Sequence, residues 1–384
     1  MRFEFTAPNR IIFGPGTLQE VGPIAASLGK RVFIVSGVPE NLEKTITSLL
    51  EKHSLSIKKY SMLTEPSVEM VRRAVLQAKG EACEVVIGFG GGSAIDTAKA
   101  VSAMLSNPGN LLDYLEVIGR GQILAQLAAP CIAIPTTAGT GAEITRNAVL
   151  SVPEAKIKVS LRSHTMLPRL AVVDPELTYQ LPSSITASTG LDALTQVIEP
   201  YVSVKANPLT DAFCVEGIRR AGKSLRRAYE HGDDVDARED MCMTSLYGGF
   251  ALANAGLGIV HGIASVLGGM FNIPHGVVCA RLLPICVEIN LRALQHRQPD
   301  HPSLVKYDEI AKLLTGSTNA FATDGVKWIC DTTIALNIQP FRNYGVTKEY
   351  FSEIIEKSSR ASSTKANPIS LTKAEMVEIL EKAV

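Results

Sequence analysis

The N-terminal part of the chain alternates short apolar runs with longer amphipathic segments, and this alternation restricts the possible fold more than any other feature. The runs Arg31–Ser36 (RVFIVS) and Cys83–Phe89 are almost continuously apolar. Continuous apolar runs of this length are typical of strands buried on both faces of a sheet. Segments with helical spacing lie between them, at Pro39–His53 and from Pro66 to Gly80. Strands that alternate with helices predict βαβ units and therefore a parallel sheet.

Other segments extend this α/β pattern. Thr17 and Glu20 have the spacing of a capping box and predict the start of a helix that ends at Gly29. Two alternating runs that flank Pro153-Glu154 predict a hairpin. The further predicted strands are Phe3–Phe5, Arg10–Phe13, Ser56–Met62, Cys131–Ile134, Asn147–Val152, Lys156–Leu161 and Leu170–Asp174.

From Pro182 onward the strand patterns mostly stop and helical spacing takes over. We therefore predict an α/β domain with a parallel sheet over residues 1–180 and an all-α domain over residues 181–384. The predicted helices of the second domain are Ser183–Val202, Leu209–Tyr229, Ala237–Leu252, Val260–Phe271, Val277–His296, Ser303–Leu314, Ala320–Ile334, Lys348–Arg360 and Thr372–Ala383.

Composition argues against several classes of protein. With 46% hydrophobic and 20% charged residues, the 384-residue chain is typical of ordered proteins with a sizeable core. Its net charge is zero, which argues against nucleic acid or an anionic membrane surface as a partner. The seven cysteines are scattered and form no CxxC pair, which indicates the reducing cytoplasm rather than a disulfide framework. Neither a signal-peptide pattern nor an apolar stretch of transmembrane length is present in the sequence.

A glycine-rich turn, GGGS from Gly90 to Ser93, joins a predicted buried strand to a helical segment. Glycines at such a turn let backbone N–H groups approach a phosphate, and the helix N-terminus adds a favourable dipole. Ser93 and Asp96 also have the spacing of an N-cap pair, so they could serve both capping and binding. An ordinary tight turn is the alternative, because the run is not a GxGxxG fingerprint.

A second loop of small polar residues follows the predicted strand Cys131–Ile134. It contains Thr136, Thr137 and Thr140 and two glycines. Open α/β sheets bind ligands at the carboxyl ends of their strands, although an ordinary polar loop would have the same composition. Two such loops after two predicted parallel strands favour a dinucleotide site.

Four side chains of the helical half have the composition of a metal site. Asp192 and Gln196 are four residues apart, so on a helix they share a face at about 6 Å along the axis. His261 and His275 flank an apolar segment rich in small residues. Alone, each histidine and Asp192 is better explained by capping or packing, but together the four residues form a plausible ligand set for a divalent metal. We expect the remaining five histidines, His53, His164, His231, His296 and His301, to be surface residues.

A metal and a nicotinamide coenzyme together indicate a specific chemistry. A divalent metal polarises the oxygen of an alcohol or carbonyl group, and the nicotinamide carries the hydride. The two candidate sites belong to different predicted domains, and we expect a cleft between these domains to bring coenzyme and metal together.

The sequence resembles the iron-containing (group III) alcohol dehydrogenases over nearly its whole length. Four segments carry this resemblance in the family's order and approximate spacing: GGGSAIDTAKA, PTTAGTGAEITRNAVL, GLDALTQVIEPYVS and NAGLGIVHGIASVLGGMFNIPHG. KYDEIAKLLTG and the Asn367-Pro368 loop fit as well. The resemblance implies a dehydroquinate-synthase-like fold, a homodimer or larger homo-oligomer, NAD or NADP, iron or zinc, and a small alcohol or carbonyl substrate.

The resemblance also implies roles for individual residues. The pyrophosphate would be bound by Gly91, Gly92 and Ser93, and the cofactor loop would be lined by Thr136, Thr137 and Thr140. Lys158 would reach the ribose or nicotinamide, although an exposed lysine is common in any hairpin. The metal ligands and catalytic residues would be Asp192, His261 and His275, with Gln196 at the fourth ligand position.

Three positions depart from the family pattern. Gln196 stands where most members have histidine, and an amide oxygen is a weaker ligand than imidazole. Ser265 stands where members often have a further histidine near the substrate, which questions a proton relay there. At Ser36-Gly37 many NAD-preferring members have an aspartate for the ribose 2′-hydroxyl, and without it a 2′-phosphate is not repelled. We therefore predict that NADP is tolerated.

Alternatives to a metal-assisted alcohol dehydrogenase remain open on the sequence. A maleylacetate-reductase-like enzyme would reduce an oxo-acid without relying on a metal. A dehydroquinate-synthase-type lyase would need basic residues around a phosphorylated substrate, whereas the central helical motifs are mostly apolar. A non-catalytic nucleotide-binding protein would have lost its metal through Gln196.

Overall fold

The computed structural model describes residues 2–62, 64–155 and 157–384, and these residues form two compact units. The sheet unit comprises Ala7–Thr137 and Ala142–Thr178. The helical unit comprises Tyr179–Val384 together with Ala138–Gly141 and the N-terminal segment that ends at Thr6. The predicted combination of an α/β part with a parallel sheet and a mostly helical part is confirmed.

The strands of the sheet unit are β1 (Ile11–Phe13), β2 (Arg31–Ser36), β3 (Ser56–Ser61), β4 (Val85–Gly90), β5 (Cys131–Pro135), β6 (Asn147–Val152), β7 (Ile157–Arg162) and β8 (Leu170–Val173). Six of them form one parallel sheet in the order β1-β8-β5-β4-β2-β3, and β6 pairs with β7 as the predicted antiparallel hairpin. Lys156, the predicted first residue of the second hairpin strand, lies outside the described residues. The chain leaves β2 toward β3 and returns to β4 on the other side, so β2 and β4 flank a topological switch point.

Helices cover both faces of this sheet. Val32 and Ile34 pack with α1 and α2 on one face, whereas Phe33 and Val35 pack with α3 and α4 on the other. Successive side chains of a strand point to opposite faces, so burial on both faces explains why the strand is apolar throughout. The helices of this unit are α1 (Val21–Leu28), α2 (Glu40–Glu51), α3 (Val68–Gly80), α4 (Gly92–Ser106) and the short α5 (Leu111–Tyr114).

The helical unit is built around a long helix that is buried over most of its length, α6. The helices are α6 (Ser183–Val202), α7 (Pro208–Glu230), α8 (Val235–Ala255), α9 (Ile259–Phe271), α10 (His275–Arg297), α11 (Ser303–Thr315), α12 (Ala322–Ala335), α13 (Phe351–Arg360) and α14 (Lys373–Ala383). Helix α6 packs against α7, α8 and α10. The predicted helix ends agree with these to within about one helical turn. Within the described ranges no single helix has the length and apolarity to cross a membrane, and α8 with α9 meets that test only as a pair bent by 99°.

The predicted N-terminal strand Phe3–Phe5 is wrong. The ring of Phe5 stacks on Phe213 and Phe250, with centroids 6.0 Å apart in each pair, and the Thr6 amide donates a hydrogen bond to Asn254 Oδ1. Packing of an aromatic ring against two helices is a large apolar gain, and it holds this segment in place of the predicted strand.

Two predicted helix caps are also wrong. Thr17 and Glu20 form no capping box, because the Thr17 hydroxyl donates to Gly14 O at 2.8 Å and the segment is a 3-10 turn. Ser93 is not an N-cap, because α4 begins one residue earlier, at Gly92. In both cases glycines allow the chain to turn without a side-chain cap.

Candidate functional site

Three helices of the helical unit bring the predicted metal-binding side chains together. Asp192 lies near the middle of α6, His261 lies in the first turn of α9, and His275 is the first residue of α10. Helix α9 follows Gly258, where a Cβ atom would lie 2.7 Å from Glu199 Oε1 on α6. Glycine at this position therefore lets α9 start this close to α6 without displacing the Glu199 carboxylate.

A carboxylate of α6 holds the first turn of α9. Glu199 Oε1 accepts a hydrogen bond from the Val260 amide at 2.7 Å, and Glu199 Oε2 lies 2.7 Å from His261 Nδ1. Asn367 Oδ1 accepts from the Ile259 amide at 3.2 Å. These contacts satisfy N–H groups that lack partners at a helix start and fix the orientation of the His261 ring. Sequence reasoning missed Glu199, although its spacing of seven from Asp192 places both on one face of α6.

The remaining ring nitrogen of His261 points into a compact cluster. Asp192 Oδ1 lies 3.5 Å from His261 Nε2 and 3.7 Å from His275 Nε2. This oxygen is buried and accepts no hydrogen bond of good geometry. A buried carboxylate oxygen without a hydrogen bond is costly unless a cation binds there. These distances show that Asp192, His261 and His275 converge in the helical unit, as predicted.

The structure adds Cys279 to this cluster. Its Sγ lies 3.6 Å from His275 Nε2 and 3.8 Å from His261 Nε2. One ligand atom from each of Asp192, His261, His275 and Cys279 lies within 4.8 Å of the other three. Sequence reasoning missed Cys279 because it treated the cysteines as scattered. The available indication was the spacing of four from His275, which places both on one helix face.

Burial and mutual charge shift the pKa values of this cluster. Burial favours a neutral Asp192, but the nearby His275 and His261 outweigh it and lower the Asp192 pKa below its ordinary value. Burial also opposes protonation of His261, but Cys279, Asp192 and Glu199 raise the His261 pKa well above the ordinary value. Burial raises the pKa of the Cys279 thiol to about 12. These surroundings stabilise a proton on His261, and a cation that binds there must displace it.

Gln196 shares a face of α6 with Asp192 but uses its amide nitrogen elsewhere. Its Nε2 donates to Gly139 O at 2.9 Å and to Asp192 O at 3.4 Å. The first bond holds the segment Ala138–Gly141 against α6 within the helical unit. That segment packs tightly, because a Cβ atom at Gly139 would lie 2.8 Å from Thr189 Cβ. Thr140 belongs to this segment and therefore to the helical unit.

The predicted coenzyme residues of the sheet unit gather at one edge of its sheet. Gly37 follows β2, Gly91 follows β4, and Thr136 and Thr137 follow β5. These three strands are neighbours in the sheet, and the Thr136 amide donates to Gly90 O at 3.0 Å. Gly37 and Gly91 flank the switch point between β2 and β4, which is where open α/β sheets bind ligands.

Glycine is required at this edge for close packing. Gly90 has φ +149, and a Cβ there would lie 2.9 Å from Ala94 Cβ and 3.1 Å from Gly37 Cα. At Gly91 a Cβ would meet only Thr137, at 3.5 Å or more, so space remains above the backbone. Helix α4 begins at Gly92, and the first N–H groups of a helix have no partner within it. This combination of free space and helix N-terminus suits a pyrophosphate.

Two family models together match most of the chain. Residues 8–175 match the model of iron-containing alcohol dehydrogenases, and residues 186–384 match the C-terminal model of the Fe-containing alcohol dehydrogenase family. The chain belongs to the iron-containing alcohol dehydrogenase family.

Relatives of this alcohol dehydrogenase cover its whole length. Alcohol dehydrogenase 4 of Saccharomyces cerevisiae is 35% identical over 99% of this chain and 98% of its own. A solved 1,3-propanediol oxidoreductase is 31% identical, with a TM-score of 0.91 and full coverage of both chains. A sulfoacetaldehyde reductase of Bifidobacterium kashiwanohense, solved with NAD+, is 27% identical with a TM-score of 0.86, over 100% of this chain and 99% of its own.

The family identifies the chain as an enzyme that interconverts an alcohol and its aldehyde or ketone. Its family uses a nicotinamide coenzyme and iron, and the relatives favour neither the maleylacetate-reductase nor the dehydroquinate-synthase alternative. The donor set fits a divalent metal, since it offers two imidazoles, one carboxylate oxygen without a hydrogen bond and one thiol. The expected fold and activity of an iron-containing alcohol dehydrogenase are thereby confirmed.

Several predicted residues of this alcohol dehydrogenase already have protein partners. Asp96 Oδ2 accepts from the Val149 amide at 3.0 Å, and Asp96 Oδ1 lies 2.9 Å from Lys99 Nζ. Lys158 Nζ lies 2.5 Å from Glu65 Oε2. Ser265, four residues after His261 on α9, donates to Gly262 O at 3.0 Å. Of the five histidines expected at the surface, four are exposed and His301 is half-buried.

Proposed function

We propose that the chain is an NAD(P)-dependent alcohol dehydrogenase whose metal is held by Asp192, His261 and His275. The convergence of these three side chains, with Asp192 Oδ1 buried and without a hydrogen bond, supports this assignment most directly. When bound there, a divalent cation supplies Lewis acidity toward the oxygen of an alcohol or carbonyl. Iron is the expected ion and zinc the alternative.

The side chains of the cluster have distinct roles in this function. Asp192 provides the negative charge that offsets the charge of the ion. Glu199 holds His261 Nδ1 at 2.7 Å, so His261 presents Nε2 to the site in a fixed orientation. His275 is about one-third exposed while the others are buried, so it lies on the side of the cluster from which a substrate approaches. We place Gln196 in the wall of the site.

We propose that the coenzyme binds at the edge formed by β2, β4 and β5. Gly91, Gly92 and Ser93 would bind the pyrophosphate through backbone N–H groups at the start of α4. Gly37 would face the adenosine ribose, and the absence of an acidic side chain at Ser36-Gly37 would let the enzyme accept NADP as well as NAD.

The second loop and two charged residues complete the proposed coenzyme site. Thr136, Thr137 and Thr140 would line the loop after β5. Asp96 would stabilise the turn through its bond to Val149. Lys158, whose ion pair with Glu65 keeps it largely buried, would contribute positive charge near the ribose or nicotinamide.

We further propose a homodimer or larger homo-oligomer that works in the cytoplasm. All seven cysteines are free thiols, which suits a reducing compartment. The oligomer rests on the family resemblance alone. Light scattering coupled to size-exclusion chromatography tests it, and a monomer at assay concentration would contradict it.

A coenzyme-oxidation screen tests the proposed function. NADH and NADPH are offered separately with small aldehydes, hydroxyaldehydes, ketones and oxo-acids, and turnover is expected with at least one small aldehyde and with both coenzymes. His261→Ala should abolish it, whereas His296→Ala, a change at an exposed position of the same unit, should not. No oxidation of either coenzyme with any carbonyl compound rejects the proposal. Turnover limited to oxo-acids and unaffected by His261→Ala would favour a metal-independent oxo-acid reductase instead.

A further inference from the structure

The cluster contains four potential ligands, and four of the six separations between their donor atoms lie close to the edges of a tetrahedral coordination shell. Zinc–nitrogen bonds of 2.0–2.1 Å and zinc–sulfur bonds of 2.3 Å give tetrahedral edges of about 3.3–3.6 Å. The four distances that join Asp192 Oδ1 and Cys279 Sγ to the two Nε2 atoms are 3.5, 3.7, 3.8 and 3.6 Å. No two of the four ligand atoms are more than 4.8 Å apart, so a contraction around an ion would bring all four into bonding range.

Helix geometry accounts for the place of Cys279 in this shell. His275 and Cys279 are four residues apart on α10, so they lie on one face one turn from each other. Gly276 lies between them, where a Cβ would come within 2.7 Å of Ser188 O on α6. Glycine at this position therefore lets the first turn of α10 approach α6, which carries Asp192.

Gln196 is the weaker candidate for the fourth ligand. Its amide nitrogen is held by Gly139 O and Asp192 O. Its only donor atom for a metal is a neutral amide oxygen, whereas a thiolate carries charge and binds iron or zinc strongly. One carboxylate and one thiolate bound directly to the ion also balance its two positive charges, whereas without the thiolate the second charge is balanced only by Glu199, through His261.

We propose that Cys279, and not Gln196, is the fourth protein ligand of the metal, beside Asp192, His261 and His275. This inference rests on the proposed function for the presence of the metal but concerns only the ligand set. Coordination replaces the S–H bond of Cys279 with a sulfur–metal bond, and the proton leaves to solvent. Gln196 is then a positioning residue that fastens Ala138–Gly141 to α6.

Cobalt(II) substitution tests the ligand set, because thiolate bound to Co(II) absorbs in the near ultraviolet by charge transfer, independently of turnover. The full-length protein is stripped of metal and titrated with Co(II), with bound metal measured at each point. Wild type is expected to bind one ion per chain and show the band. Cys279→Ala and Cys279→Ser should lose this charge-transfer band and bind Co(II) more than about 100-fold more weakly. That loss is larger than the one typical of a residue that only contacts a metal ligand.

Two control variants separate ligand loss from damage to the fold. Cys286→Ala removes another buried thiol of α10, outside the cluster, and should keep the band and the affinity. Gln196→Ala should keep the band and bind Co(II) within a few-fold of wild type.

The outcomes distinguish this inference from the proposed function. Failure of wild type to bind Co(II), a bound ion without the band, or a band that survives in Cys279→Ala overturns the assignment of Cys279. If wild type turns over an aldehyde but shows no band with Co(II), the assignment of Cys279 is rejected and the proposed function stands. The band without turnover on any carbonyl compound supports the assignment and rejects the function.

Discussion

The two candidate sites of this enzyme are built from different parts of the chain. At the edge of the sheet the important features are backbone features: glycines that permit close packing, and the start of α4. In the helical unit the important features are four titratable side chains gathered from three helices. A backbone site tolerates little change of shape, whereas a side-chain site tolerates little change of charge.

Two buried carboxyl groups show the same contrast. Asp192 has His275 and His261 beside it, and its pKa is lowered although burial acts in the opposite direction. Glu143 in the sheet unit is 2% exposed, and burial raises its pKa to about 7 against the weaker effects of a hydrogen bond to its own backbone and of Lys99. The surroundings of Asp192 therefore keep its carboxylate charged, whereas the surroundings of Glu143 favour its neutral form.

The largest expected effect is the loss of charge from the helical cluster. Asp192→Ala should lower kcat/KM by about 10³-fold, or about 4 kcal/mol, because the proposed metal site loses its carboxylate. Bound metal measured by mass spectrometry should fall in parallel. Asp300→Ala, at an exposed position of the same unit, is the control and should change neither quantity. An Asp192→Ala protein with the kcat/KM of wild type would contradict the claim that the helical cluster depends on its charge.

The next effect is a change of shape at the sheet edge. Gly90→Ala should lower the free energy of unfolding by about 3 kcal/mol, because its φ of +149 and the nearby Ala94 leave no room for a Cβ. Gly80→Ala, in α3 with nothing within 4 Å of the new Cβ, should be neutral or stabilising by about 0.5–1 kcal/mol. Urea denaturation measures both, and equal stabilities for the two variants would contradict the packing argument.

The buried carboxyl group of the sheet unit gives a pH-dependent effect. The folded-state pKa of Glu143 is about 7, above its ordinary 4.5, so ionisation costs stability as pH rises from 4.5 to 7, and the full cost remains above pH 7. Glu143→Gln removes this cost, so it should stabilise the protein by about 3 kcal/mol near pH 8 and by about 1 kcal/mol near pH 5.5. Thermal or chemical denaturation at both pH values measures this, and a stabilisation that does not grow with pH would exclude an ionising Glu143.

The smallest expected effect separates coenzyme binding from folding. Gly91→Ala places a methyl group at an open position with φ −70, so its free energy of unfolding should match wild type within about 0.5 kcal/mol. The methyl group should hinder the approach of a pyrophosphate and raise the KM for the coenzyme about 10-fold, or about 1.4 kcal/mol. An unchanged coenzyme KM would place the coenzyme elsewhere.

The sequence was sufficient for features that depend on local pattern. Continuous apolar runs gave the buried strands, helical spacing gave the long helices, and the family motifs pointed to Asp192, His261 and His275. Features that depend on residues far apart in the chain could not be predicted in this way. Phe5 packs on helices far along the chain, and Glu199 is recognisable as a partner of His261 only once α9 is placed. The spacing of four between His275 and Cys279 was visible in the sequence, but the proximity of Cys279 to Asp192 and His261 depends on α6 and α9.

The central claim is that a cation held by the helical cluster is required for coenzyme-dependent turnover. Its most direct test is to strip the enzyme of metal and measure NAD(P)H oxidation with a turned-over aldehyde as Fe(II) or Zn(II) is added back. Activity should rise in proportion to bound metal and reach its maximum at one ion per chain. Full activity in metal-free enzyme, unchanged by added metal, would contradict the account.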